Sequence, residues 1–246
     1  AMEKWAPETY GERIADVYED LHAPLLNVDA TVQFLAELAQ GGPALELAVG
    51  TGRIALPLSE RGIDVHGIDA SRRMVERLRD KPGGDRVEVT FGDFADVDVD
   101  GRYSLIFLVF NTLFALTDQR DQVRCFRNVA EHLTPEGVFV VEAFVPDLAR
   151  FDRGQRVQVN EIELDRVVID VNKHDAPAQI IDAQHIVIAN GELKMYPVKL
   201  RYAWPAEMDL MAELAGMRLR DRWSGWSRDP FTAASQSHVS VYELNS

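Results

Sequence analysis

The chain has 246 residues, 46% of them apolar, with 40 acidic against 26 basic side chains and a net charge of −14. This size and composition fit one globular domain over 1–246 and exclude a disordered chain. No apolar run approaches the ~20 residues of a membrane span, the acidic surface disfavours a nucleic-acid partner, and a single cysteine, Cys125, permits no internal disulfide, as in a reducing cytoplasm.

Residues 8–40 read as two helices broken near Pro24, within an N-terminal helical cap over 1–40. Tyr10, Ile14, Val17, Tyr18 and Leu21 share one helical face, and Val32, Leu35 and Leu38 mark the next helix. Gly41-Gly42-Pro43 ends the segment. An apolar run through Ala44, Leu45, Leu47 and Val49 then enters the turn Gly50-Thr51-Gly52. A helical pattern follows through Ile54, Leu56 and Leu58, and a second apolar run closes on Asp69. Strand, tight turn, helix and strand ending on an acid are the nucleoside-binding half of a doubly wound α/β sheet. The two glycines omit Cβ atoms where the backbone turns sharply and touches a ligand. Asp69 stands where an acid accepts hydrogen bonds from ribose hydroxyls.

The turn also fits the relaxed dinucleotide fingerprint, with Ala55 in its third position, so by itself it leaves an NAD-dependent oxidoreductase open. Glu46 argues against that alternative. It stands near the carboxyl end of the first strand, where a dinucleotide puts an anionic pyrophosphate, and an unpaired acid beside phosphate is unfavourable. S-adenosylmethionine has no phosphate and carries a sulfonium and an α-ammonium, both of which an acid favours.

Ser71 reads as the N-cap of a helix carrying Met74, Val75 and Leu78. Val87–Phe94 reads as a third strand ending in Gly-Asp-Phe, and Tyr103–Phe114 as a fourth. An amphipathic helix over Asp118–Leu133 is followed by the turn Pro135-Glu136-Gly137 and a fifth strand. These motifs, ELAVGTG, GIDAS, VEVTFGDF and LTPEGVFVVEAF in that order, resemble class I S-adenosylmethionine-dependent methyltransferases over residues 8–147. The resemblance implies a Rossmann-like seven-stranded sheet with the last strand antiparallel. It also implies S-adenosylmethionine as cofactor and a small organic acceptor methylated at oxygen or nitrogen. A non-catalytic S-adenosylmethionine-binding partner protein remains the reading from another class.

On this resemblance Glu46, Ala48, Gly50 and Gly52 hold the methionine half, and Asp69 and Ala70 the ribose. Met74 packs on adenine, Asp93 accepts its amino hydrogen with Phe94 alongside, and Phe110 contacts the cofactor. Asn111 contacts cofactor or acceptor. Tyr18, beside Glu19 and Asp20, resembles the Tyr-acid pair that closes over the methionine end in many small-molecule methyltransferases. No metal constellation is recognisable.

After Asp147 the pattern changes. Residues 156–204 alternate with period two, with Asn190-Gly191 marking a hairpin, and read as an inserted antiparallel meander of about four strands. Its spare apolar face, which includes Val167, Ile169 and Val171, must pack on the cleft edge, on a second copy in a homodimer, or on both. A helix starts at Pro205, and two last strands, Arg218–Trp223 and His238–Leu244, flank an aromatic loop. If the final strand is antiparallel, His238, Trp226 and Phe231 fall near the methyl-transfer edge. His238 is then a candidate general base, with His174 and His185 behind it, and Trp226 and Phe231 are candidate acceptor contacts. The β-rich insertion and aromatic loop resemble bacterial natural-product and amino-sugar methyltransferases.

Overall fold

Glycine turns and strand ends of the sequence become one edge of a twisted sheet. The computed structural model describes residues 5–19 and 27–245. The helical break near Pro24, together with Asp20 and Leu21, lies outside them. Strands β1 (Ala44–Leu47), β2 (Val65–Asp69), β3 (Glu88–Phe91), β4 (Tyr103–Leu108) and β5 (Leu133–Phe144) run parallel. With β10 (Met217–Trp223) and β11 (Ser237–Leu244) they form a seven-stranded sheet in the order β10-β11-β5-β4-β1-β2-β3. The last strand, β11, is antiparallel to both neighbours. Strand order reverses between β1 and β4, the switch point where doubly wound sheets open a crevice.

Both faces of this sheet are covered, which is why its central strands are continuously apolar. On one side Phe139, Val141 and Tyr242 pack with Phe126 of α5 (Gln119–His132) and Met208 of α6 (Pro205–Leu214). On the other side Phe107, Val138 and Val140 meet Leu35 of α2 (Val28–Ala39) and Leu58 of α3 (Ala55–Glu60). Capping side chains start the helices: Asn27 accepts from Ala30 N at 3.2 Å, Ser71 from Met74 N at 3.2 Å at the head of α4 (Arg72–Arg79), and Asp118 from Arg120 N at 2.8 Å. Pro135-Glu136-Gly137 does not precede the fifth strand but bulges inside it. Leu133 pairs with Tyr103 and Val138 with Leu105, so the extra residues loop out between two paired positions. Among the described residues no helix is long and apolar enough to cross a membrane.

The alternating segment forms a second, antiparallel sheet of β6 (Gln155–Ile162), β7 (Arg166–Asp175), β8 (Ile180–Ala189) and β9 (Glu192–Arg201). Asn190 (φ 52°) and Gly191 (φ 79°) turn the β8–β9 hairpin. One face of the sheet buries Val168, Val187 and Tyr196 against Ile14 and Ala15, next to α1 (Thr9–Ile14), and against Met74 of α4. Farther along the same face Ile181 and Leu200 pack on the core below α5 and α6. Strand β9 contacts both α1 and the 3-10 turn Thr112–Ala115 that follows β4. The inner face therefore roofs the carboxyl ends of the parallel strands. Arg201, 5% exposed, latches this roof to the main body. Its guanidinium donates to Gln122 Oε1 (2.6 Å), Gln179 Oε1 (2.9 Å) and Glu207 Oε1 (2.8 Å).

Candidate active site

At the switch point the ends of β1 and β4 and the start of α2 line a narrow cleft. Of the residues proposed from sequence, Tyr18, Glu46, Ala48, Gly50 and Phe110 line it; Arg53, Thr31 and Glu142 line it too and were missed. Three strained backbone positions stand on its rim. Ala48 (φ 58°) follows β1, and Phe110 (φ 56°) and Asn111 (φ 63°) follow β4, all left-handed without being glycine. The two glycines of the turn differ in purpose. A Cβ on Gly52 would strike the Leu78 side chain at 2.8 Å, so this position serves helix packing. A Cβ on Gly50 would meet only Ala48 O, at 3.9 Å, leaving a bare backbone cradle.

Glu46 is 3% exposed, and its Oε2 is enclosed without a hydrogen-bond partner. Burial pushes its carboxyl well above the usual range, a direction the nearby Asp69 reinforces and the Ala55 amide and Arg53 oppose. Among the described residues Arg53 has no ion-pair partner; its enclosed guanidinium lies beside the Tyr18 side chain, to which it hydrogen-bonds, 4.8 Å from that ring centroid and 5.9 Å from that of Phe110. Unpaired buried charge is costly, and here an acceptor and a donor group line one cavity. A zwitterionic amino-acid group satisfies both, its ammonium on Glu46 and its carboxylate on Arg53. These residues fit the methionine half of S-adenosylmethionine.

Asp69 is not at an open surface; it is 8% exposed. Its Oδ2 accepts from Gly50 N at 2.7 Å and its Oδ1 from Ser71 N at 2.8 Å, so it ties the glycine turn to the head of α4. Burial nonetheless raises its pKa, and the hydrogen bonds from Ser71 and Gly50 only moderate this. Met74, 4% exposed, is core beneath α1, with half-exposed Ala70 near it in the chain. Asp93 Oδ1 accepts from Ala95 N at 2.9 Å, and Phe94 packs against the core at the end of β3. None of these last four lines the cleft itself. α1 and the residues after it close on the same edge: Glu12 accepts from Ser71 Oγ (2.8 Å), and Glu19 accepts from Thr51 Oγ1 (2.6 Å) and pairs with Lys81.

Glu142 holds the β4 rim. It accepts from Phe110 N (2.7 Å) and from Trp226 Nε1 (2.8 Å), and burial raises its pKa. An acid inside the apolar run VFVVEAF was the legible sign of its role. Trp226 thus acts through Glu142, packed edge-on against Phe34 at 5.4 Å. Asn111 spends its Oδ1 on Phe144 N (2.6 Å), stitching β4 to β5. Phe231 is on the opposite side of the sheet, 5.7 Å from the Arg222 guanidinium and 6.0 Å from His238.

His238 is a correction. The antiparallel register does bring it beside Ala143 at the expected edge, but its side chain turns into the core. It is 0% exposed, with Nδ1 2.8 Å from Ser240 Oγ. Burial, reinforced by Arg222, pushes its pKa down to about 4. The ring lies in the core beside Phe231, on the side of the sheet away from the cleft, and does not face an acceptor there. The roof supplies a different histidine: His185 Nδ1 lies 2.6 Å from Asp170 Oδ1, and its Nε2 is enclosed without a partner. His185 shares the inner face with Val187 and pairs in register with Asp170 and Tyr196.

A methyltransferase-domain family matches residues 44–137. The chain is 40% identical to the CcbJ methyltransferase of Streptomyces caelestis, covering 98% of this chain and 100% of that one, with a TM-score of 0.91. The chain belongs to the class I S-adenosylmethionine-dependent methyltransferases. This methyltransferase is also 27% identical to the cypemycin N-terminal methyltransferase of a Streptomyces species, over 96% of this chain and 98% of that protein. Its fold is shared by an S-adenosylmethionine-dependent methyltransferase of Clostridium acetobutylicum at 15% identity, covering 95% of this chain and 98% of that one, with a TM-score of 0.81. S-adenosylmethionine is accordingly the cofactor of this methyltransferase, and an NAD-dependent oxidoreductase is set aside.

Proposed function

We propose that this methyltransferase methylates an amine nitrogen of a small organic acceptor held between the strand ends and the inner face of β6–β9. The observation that carries this reading is the His185–Asp170 pair, an imidazole with one nitrogen held by a carboxylate at 2.6 Å and the other enclosed and unpaired. A protonated amine must lose a proton before its lone pair can attack, and a paired histidine is suited to take it. The net charge of −14 favours a cationic acceptor over an anionic one. The likeness to a methyltransferase named for acting on an N-terminus points the same way.

S-adenosylmethionine supplies a methyl group on a cationic sulfur that leaves readily. The residues of the chain do the rest. Glu46 and Arg53 would hold its amino-acid end, Asp69 its ribose and Asp93 its adenine amino group. The rings of Tyr18 and Phe110, which lie beside the Arg53 guanidinium, would line the same end of the cleft. α1 and the roof exclude water and align the acceptor, and proximity provides much of the rate. His185 Nε2 takes the amine proton, and Asp170 steadies the imidazolium. Burial alone would raise the Asp170 pKa, but hydrogen bonds from His185 and Asn160 outweigh it and hold the carboxyl below its ordinary value, so it stays charged for that task.

The test is incubation of the purified protein with S-adenosylmethionine and paired amine and hydroxyl acceptors: amino sugars against sugars, and free against N-acetylated peptides and amino acids. S-adenosylhomocysteine release and a one-methyl mass gain are read. Methylation confined to amines is expected. Methylation of the hydroxyl partners with the amines left untouched would overturn the reading.

A further inference from the structure

The sheet β6–β9 has a second face, turned away from the cleft. Register places Ile162, Val167, Ile188 and Leu193 in one row across the four strands, and Val159, Ile169, Ile186 and Met195 in the next. A third row is apolar except for Gln184, whose Oε1 is enclosed without a partner. The edge positions are open to solvent: Ile162 is 74% exposed, Leu193 61%, Val159 50% and Met195 51%. Charge enters at the end of the face, where Lys173, Asp182 and Lys199 stand in register, Lys199 pairing with Asp182 at 3.0 Å, and Asp175 and Arg201 follow in the next row.

We propose that this face is an isologous dimer interface whose occupant is the same face of a second copy of this chain. The inference rests on the outer face alone and is independent of the acceptor. Three observations choose the occupant. Strands of ten residues, rising ~3.3 Å per residue and spaced ~4.8 Å apart, make a face of roughly 600 Å². Two such faces remove about 1,200 Å² from water, the lower bound for a stable protein interface, and each alone matches the largest apolar patch a monomer usually leaves bare. The chain carries −14 overall, yet residues 155–201 hold six basic and seven acidic side chains, so two copies meet here without bringing their charge together. The third is complementarity. A two-fold axis along the strands reverses strand order while keeping each row over itself. Apolar rows then face apolar rows, and Lys173 is turned toward the partner's Asp182 while Asp182 is turned toward the partner's Lys173. Pairing of the outer faces also stiffens the two roofs, because the inner face of each sheet lies on its own α1 and strand ends.

Sedimentation of the intact protein over a concentration series tests the proposal, with a dimer expected. Ile169→Asp, at the centre, and Met195→Asp, at the exposed edge, should each weaken dimerisation by about a hundredfold or more. The thermal shift produced by S-adenosylhomocysteine should remain in both. Lys173→Asp alone should weaken the dimer, and addition of Asp182→Lys should restore most of it. If Ile169→Asp fails to fold by circular dichroism, Met195→Asp and the charge pair still decide. A wild-type monomer at the highest soluble concentration would overturn the proposal, as would a dimer indifferent to both Met195→Asp and Lys173→Asp. A monomer that floats with neutral or anionic phospholipid vesicles would overturn it in favour of a membrane surface.

Discussion

The amide of Gly50 donates to Asp69 Oδ2 at 2.7 Å, so the glycine turn after β1 hangs from the acid that ends β2. Because Asp69 Oδ1 also receives Ser71 N, one carboxylate sets the positions of both the turn and α4. This changes what its removal should do. Asp69→Ala strands two amides and should lower stability by about 2–4 kcal/mol as well as abolish measurable S-adenosylhomocysteine binding. Asp69→Asn keeps an acceptor and should bind more weakly, by roughly 10- to 150-fold, with a smaller loss of melting temperature. Calorimetry and thermal melts read both. Wild-type affinity in Asp69→Asn would show that its charge takes no part in ribose binding.

Glu46 gives a proton-linked prediction. Its folded pKa is raised by burial, so between the ordinary carboxylate value and that raised value the folded apo protein holds a proton that the unfolded chain has lost. Stability from this group is therefore fully present below the ordinary carboxylate value and is lost as pH rises through that window. An ammonium bound beside Glu46 favours the ionised form, so S-adenosylhomocysteine binding in that window should release a proton. Titration calorimetry in buffers of different ionisation enthalpy should detect it, and Glu46→Gln should eliminate it. Binding without proton release in the wild type would place the ammonium elsewhere.

Arg53 should discriminate ligands by their amino-acid end. Loss of a charge-assisted contact of about 1.5–3 kcal/mol weakens binding by roughly 10- to 150-fold. Arg53→Ala should show that loss for S-adenosylhomocysteine and none for 5′-methylthioadenosine, which lacks the carboxylate. An equal loss for both ligands would mean that Arg53 shapes the cleft instead of holding the carboxylate.

His238 should report on the fold, not on the chemistry. Its folded pKa is lowered to about 4 from an ordinary 6.5, so below pH 6.5 the unfolded chain binds the proton and the folded one resists it. Stability is therefore lost as pH falls through this window, by up to about 3 kcal/mol. His238→Gln should flatten the acid limb of the stability profile while leaving S-adenosylhomocysteine affinity unchanged. An acid limb identical to the wild type would show that the imidazole titrates normally.

His185 carries the corresponding prediction for the reaction. His185→Gln should lower kcat for an amine acceptor by roughly 10²- to 10⁴-fold near neutral pH. The deficit should shrink as pH rises and the amine loses its proton without help. A pH-independent loss would mean that His185 only packs the roof.

Much of this molecule is local. The strand-turn-helix-strand from Ala44 to Asp69, the N-cap Ser71 and the Asn190-Gly191 hairpin follow from period and turn chemistry, the antiparallel last strand from the family resemblance, and the structure has each of them. The cleft was legible only where its residues sit inside a motif, as Glu46 and Gly50 do. Arg53 is in that motif too, but only the fold reveals that its guanidinium is enclosed with no ion-pair partner among the described residues. Glu142 and Trp226 lie 84 positions apart, and their hydrogen bond exists because β11 returns alongside β5.

The histidines separate the two kinds of information most clearly. Sequence by itself determined the alternation that forms β6–β9 and the edge at which His238 would stand. Which way each imidazole turns was decided by tertiary structure alone. A strand places successive side chains on opposite faces, and whether a face meets solvent, core or cleft depends on what packs over it. α6 and the loop around Phe231 cover His238 and keep it neutral, whereas α1 and the strand ends lie opposite the face that carries His185.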